Sequence, residues 1–172
     1  MRRAFPAALL LALAALALVV PTPTALVGKA AAANRGVAGH WLVANERAII
    51  RLEPCGPTMC GRLAWLSEPY ADDGGPKRDT ENPDPSRRGR PLCGLRLVSG
   101  LERAGADRWE DGEIYNSRDG SIYGLDVELS GPDTLSVRGY LGVRLFGRTQ
   151  KWTRVGGDRG GCPTRFLPGN DR

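Results

Sequence analysis

The chain has one histidine, four cysteines and two methionines in 172 residues, and each scarcity excludes something. Any Ser-His-Asp or Cys-His arrangement would have to be built on His40 alone. Strand alternation across Gly39-His40-Trp41 turns that imidazole away from Trp41 and hence outward. The cysteines do not supply the paired C-x₂₋₄-C spacings plus histidine of a zinc site, so no metal and no cofactor is expected. Lysine is almost missing: beyond residue 33 only Lys77 and Lys151 remain. No helix-period segment follows Gly39, apart from room for one turn near Pro85 to Arg88, and no repeats or low-complexity segments stand out.

What is present begins with an address. Arg2 and Arg3 precede an apolar run from Ala7 to Val20, and a small-residue Ala-x-Ala site follows in "PTPTALVGKAAAANRG". This is the pattern of a secretory signal peptide over 1–33, with cleavage near Ala33. Pro21 and Pro23 stop the run short of the ~20 residues of a spanning helix, so no membrane span is expected in the mature form. The paired arginines also suit twin-arginine export, but the short basic region favours ordinary secretion, to the periplasm or beyond. Removing Arg2, Arg3 and Lys29 takes the 24 basic residues to 21 against 19 acidic ones, a balance of +2. That is no nucleic-acid footprint.

All four cysteines lie in the mature part, as suits an oxidising compartment. Cys55 and Cys60 flank a four-residue turn in "EPCGPTMCGRL" and can face each other across a hairpin. A bridge there would close a short loop and stabilise by roughly 2 kcal/mol. Pairing Cys93 with Cys162 would tie the tail to the body, although four cysteines allow three connectivities.

From Gly39 onward the apolar periodicity is that of strands. "GHWLVAN", "RAIIRLEPC" and "CGRLAWLSEP" read as the first three, with Leu63 and Trp65 on one side of the third. A long Pro-, Gly-, Asp- and Arg-rich segment over 67–93 follows. "LRLVSGLERA" and Trp109 to Asn116 read as strands, and "SRDGS" turns the chain into "IYGLDVELS". There Tyr123, Leu125, Val127 and Leu129 share one face, against Asp126 and Glu128. "LSVRGYLG" puts Leu135, Val137 and Leu141 inward, and "FGRTQKWTRV" closes the set. About eight antiparallel strands on short turns indicate an all-β fold, with closure into an up-and-down barrel the simplest way to remove open edges. The barrel domain is expected over 34–155 and a Gly-rich tail over 156–172.

The ordered stretches "GHWL…EPCGPTMCGRLAWLSEP", "DTENPDPSRRGRPLCGL", "WEDGEIYNSRDGSIYG" and "LSVRGYLGVRLFGRTQKWTR" resemble a family of small exported bacterial proteins, domain-of-unknown-function family 2147. The resemblance spans roughly Gly36 to Val155. It implies a lipocalin-like (calycin-like) β-barrel in the cell envelope and no assigned activity. Asp79, Asn82, Pro83 and Arg90 are the loop positions its pattern marks, as a lid on one barrel mouth. Gly39-His40-Trp41 also looks like the G-x-W that opens the first lipocalin strand. In such barrels a basic residue of the last strand packs over that Trp and shuts one end, which makes Arg154 the partner of Trp41.

The last strand poses the functional question. Phe146 and Trp152 share a parity with Arg148, Gln150 and Arg154, while Gly147, Thr149, Lys151 and Thr153 would make a poor core. The aromatic face therefore carries cationic and polar groups inward, and a buried charge must be paired or solvated. One reading is structural pairing. The other is a pocket in which Tyr115, Tyr123, Arg148, Gln150 and Arg154 bind a small amphipathic or anionic ligand without catalysis; an interior of about eight strands is just wide enough to be filled by side chains or to hold one small molecule. Two alternatives stand beside it. One is an interaction module that uses the 67–93 loop to contact an envelope protein or cell-wall partner. The other is an enzyme built on carboxylates such as Glu110, Glu113, Asp126 and Glu128, or on a Tyr–Arg pair. The acidic loop (Asp72, Asp73, Asp79, Glu81, Asp84) lacks calcium-loop order and reads as turn chemistry.

Overall fold

The computed structural model describes residues 36–157 and 161–162. The expected signal peptide and most of the tail lie outside the described residues. Eight strands run β1 (Gly39–Leu42), β2 (Ala48–Cys55), β3 (Thr58–Leu66), β4 (Arg96–Arg103), β5 (Arg108–Asn116), β6 (Ser121–Gly131), β7 (Thr134–Tyr140) and β8 (Arg148–Val155). Each pairs antiparallel with its sequence neighbour, and β1 pairs with β8 through Trp41↔Arg154, so the sheet closes into an up-and-down barrel with no open edge.

Alternation fills the interior with one side chain in two from each strand. Trp41, Val98, Leu101, Leu125 and Leu135 are at most 1% exposed, and Trp109 and Trp152 pack with them. Each such side chain contributes roughly 1.5–3 kcal/mol by leaving water. On β6 the alternation is that of the sequence: Leu125 and Val127 face inward and Glu128 outward.

Parity fails at two places, for identifiable reasons. Trp65 does not share the inner face with Leu63. Ile50 pairs with Leu63 and Ile49 with Trp65, so Ala64 is the extra residue of a bulge that throws Trp65 onto the outer wall. Leu141 and Phe146 are not inward either, at 70% and 78% exposed. β7 ends at Tyr140, and a short 3₁₀ turn over Arg144–Phe146 lifts the chain out of the sheet before β8 begins at Arg148. The strand pattern is valid on either side of that loop and not within it.

Two disulfides staple the outside, Cys55–Cys60 across the β2–β3 hairpin and Cys93–Cys162 between the long connection and the tail. Both suit an oxidising environment outside the cytoplasm. Among the described residues no helix is long and apolar enough to cross a membrane.

Candidate functional site

The two ends of the barrel differ in chemistry. At one end Trp41 is fully buried, with its indole N–H donating to the Val37 carbonyl at 2.8 Å. The Arg154 guanidinium lies 4.2 Å from the centre of that indole. It donates to the carbonyls of Gly36 (2.7 Å), Ala38 (2.9 Å) and Pro132 (2.9 Å). A Cβ at Gly39, where φ is +140°, would sit 2.6 Å from the guanidinium, so this approach needs glycine. Arg154 and Trp41 together shut this end. Arg154 is thereby removed from any pocket with Arg148, which lies six residues away at the opposite end of β8.

The other end is open. Trp152, Gln150 and Arg148 stand opposite Leu135, Val137 and Gly139 in the β7–β8 register, so the row of β8 runs from apolar to cationic toward the mouth. Trp152 is buried at its inner end, and its indole N–H points to the Gln150 side-chain oxygen at 3.4 Å. Nothing lies within 4 Å of where a Gly139 Cβ would be, and that missing side chain opens the space facing Arg148. The result is a cavity of about 420 Å³, with Ile114, Leu125, Val137 and Trp152 as apolar wall and Tyr123, Gln150 and Arg148 as polar groups. A second cavity of about 330 Å³, lined by Ala48, Leu66, Lys77 and Leu92, shares Asn116 with it as a lining residue. These volumes are in the range of small-molecule sites.

Tyr123 reaches Asp119 with its hydroxyl at 3.1 Å. The Ser121 amide first, and then the Tyr123 and Asn116 side chains, hold the Asp119 carboxyl below its ordinary value against the opposing effect of burial. Arg148 has no carboxylate partner among the ion pairs of the described residues, which leaves its charge available at the mouth.

Tyr115 departs from the pocket. It pairs with Ile122, which is 57% exposed, on the outer face of the β5–β6 hairpin. There it meets the long connection. Its hydroxyl donates to Asp79 at 2.6 Å and receives Asn82 Nδ2 at 3.1 Å. Asp79 is fully buried, and its other oxygen accepts from Arg90 (2.9 and 2.8 Å) and from Asn82 (2.8 Å). Burial first, and then the Asp79 carboxylate, push the Tyr115 hydroxyl above its ordinary value. Gly120 completes the fit: with φ +72°, any Cβ there would strike the Glu81 carbonyl. Asp79, Asn82 and Arg90 are thus satisfied by one another and by Tyr115. They form a latch fastening the 67–93 segment to the hairpin, not a set of groups aimed at solvent.

Apart from Asp111 and Asp126, which share Arg144 on the outer wall, the remaining acids do not converge. Glu110 pairs with Arg108 along β5, Asp126 with Arg144, and Glu113 is exposed on the outer wall. Asp73 and Asp84 accept from the amides of Gly75 (2.8 Å) and Ser86 (2.9 Å), as turn-forming aspartates do. His40 lies outside the barrel, in a separate cavity of about 250 Å³ with Trp65 and Cys162. Sequence reasoning missed Ile114 and Gly139 as lining, while Asn116, a polar group of the "EIYNSRDGSIYG" hairpin, does line the cavity with Tyr123. The available signal was Gly139 inside an otherwise alternating strand, a position where a side chain is conspicuously absent.

A closed eight-stranded antiparallel barrel, sealed at one end and open with a cavity at the other, defines a lipocalin-like protein. The family described as "Uncharacterized protein conserved in bacteria (DUF2147)" matches residues 39–154, and the chain belongs to it. A solved structure described as protein HP1028 from the human pathogen Helicobacter pylori, of the lipocalin family, is similar in fold. It has a TM-score of 0.61 at 22% identity, over 69% of this chain and 82% of that one. No curated protein matches the chain.

Proposed function

We propose that the protein is an exported, non-enzymatic binding barrel of the bacterial envelope, whose open mouth takes a small amphipathic ligand with an anionic head. One observation carries this reading: the β8 row places an ion-unpaired Arg148 and Gln150 directly above the apolar wall of Leu125, Val137 and Trp152 in one cavity. An acyl or ring portion fits against that wall, and a carboxylate or phosphate fits the guanidinium, which binds such groups through paired N–H donors. Export rests on the N-terminal pattern and the two disulfides. Binding is favoured over turnover because Glu110, Glu113, Asp126 and Glu128 do not line the cavity: Glu110 and Asp126 pair with arginines, and Glu113 and Glu128 are exposed. The 67–93 segment serves as a fixed wall of the mouth, fastened through Asp79, in preference to docking an envelope or cell-wall partner.

The test is native mass spectrometry of the chain from Asn34 onward, purified gently from a bacterial periplasm. We expect a reproducible extra mass that is released on unfolding. Gly139→Leu, which fills empty space, should abolish it while leaving the fold intact, and Arg148→Leu should lower retention at least about tenfold, the scale of one charge-assisted contact. An unchanged ligand load in both variants would sink the reading.

A further inference from the structure

Leu141, Val143, Leu145 and Phe146 are 70%, 56%, 79% and 78% exposed. They account for four of the six exposed large apolar side chains among the described residues, and all lie in the one loop joining β7 to β8. Scattered exposed apolar residues need no explanation, but a cluster marks a contact surface.

This loop is held in place. The Arg138 guanidinium donates to the Arg144 carbonyl (2.7 and 3.1 Å) and the Leu145 carbonyl (3.3 Å). Arg144 reaches back to the outer wall, to Asp126 at 2.9 Å and to Asp111, and lies over the Tyr140 ring. Its one charged residue thus anchors the loop to the barrel while its apolar side chains remain outside. The chain that forms the loop and its two flanking strands is one-signed, with Asp111 and Asp126 beside it engaged by Arg144. From Thr134 to Gly157 there are five cations (Arg138, Arg144, Arg148, Lys151, Arg154) and no acid. Arg144 and Arg154 are paired with aspartates, but Arg138, Arg148 and Lys151 have no carboxylate partner among the ion pairs of the described residues.

We propose that this lip docks the barrel mouth onto a lipid bilayer containing anionic phospholipids. A projecting apolar tip flanked by Arg138 and Arg148 matches the boundary between acyl chains and anionic headgroups, where buried apolar area and charge attraction add. A seven-residue loop offers only a fraction of the ~800 Å² per partner buried in a stable protein interface. Leu141 and Phe146 also edge the cavity, so docking sets its mouth against the bilayer. The docking rests on the loop's own geometry and does not require an occupied cavity.

The experiment is co-sedimentation of the chain from Asn34 onward, which carries the whole barrel core and both disulfides, with sucrose-loaded vesicles. Phosphatidylethanolamine vesicles containing phosphatidylglycerol are compared with pure phosphatidylcholine. Binding should favour the anionic vesicles and weaken with added salt. Val143→Ser/Leu145→Ser should reduce the partition coefficient at least about tenfold, as expected for two lost apolar insertions. Neither side chain lines the cavity or the core, so near-ultraviolet circular dichroism and ligand retention in native mass spectrometry should not change. Those readouts keep the lip and the pocket separately testable. Absence of vesicle binding by the parent chain, or equal binding by the double variant, overturns the proposal. So does a dimer in size-exclusion chromatography that the double variant converts to monomer, since the lip then covers a second copy.

Discussion

Asp79 is the residue whose surroundings say most about its role. It is fully buried and accepts from Tyr115, Asn82 and Arg90, so its removal strands three donors at once. Breaking a buried ion pair costs ~3–5 kcal/mol. Arg90 is 35% exposed and keeps part of its hydration, so we expect Asp79→Ala to destabilise by about 2 kcal/mol in urea unfolding. Tyr115→Phe should be much milder alone and milder still in the Asp79→Ala background, where only the bond its hydroxyl accepts from Asn82 is left to lose. A phenol raised above 10.0 in the fold stabilises below that pH, and its contribution is lost as the pH rises through the folded value. None of this latch followed from periodicity. Asp79 and Asn82 lie three residues apart and Arg90 eleven beyond Asp79 in an irregular segment, and Tyr115, which bonds the first two and lies under the third, arrives from β5. At Tyr115 the alternation was legible, but which face the loop would cover was not.

At the scale of elements, the disulfides differ by the chain they close. Cys55 and Cys60 are 5 residues apart, and Cys93 and Cys162 are 69 apart. Loop-closure entropy then assigns about 2 kcal/mol to the first and about 4 kcal/mol to the second. The double variant Cys93→Ala/Cys162→Ala should accordingly lower the urea midpoint about twice as far as Cys55→Ala/Cys60→Ala. Equal shifts would place the effect in native contacts of the tail, such as the Cys162 amide on the Ala64 carbonyl at 2.8 Å. The hairpin bridge was legible from "CGPTMC", since both partners are local. The strands themselves were legible within a few residues because apolar alternation is the same force that buries them. The bulge at Ala64 and the lip at 141–147 were not, because each interrupts the alternation for a reason held by a neighbouring strand or an anchoring arginine.

For the molecule as a whole, acid should act on the connections before the barrel. Glu68, Asp84 and Asp119 all have carboxyls held below their ordinary values of 4.5, 3.8 and 3.8. The causes are Lys77 for Glu68, the Ser86 hydroxyl and amide for Asp84, and chiefly the Ser121 amide for Asp119. A depressed carboxylate stabilises at pH above its unfolded value, and the contribution disappears as the pH falls through the lower folded one. We expect hydrogen exchange in residues 67–93 and 117–121 to accelerate below about pH 4, while amides of β6 and β7 stay protected. Simultaneous loss of both sets would mean that the connections and the barrel unfold as one unit.

The sequence by itself determined the all-β character, the strand count and the family. It also determined the cationic inner row of β8, because these follow from local alternation and from side chains present or missing. The G-x-W resemblance already set Arg154 over Trp41 at one end; only the tertiary structure decided that Arg148 borders a cavity at the other, that Tyr115 faces a loop and not a cavity, and that four apolar side chains remain outside. Those outcomes depend on closure: which strand end meets which is set by the register of eight strands around a ring, a long-range constraint that no local pattern encodes.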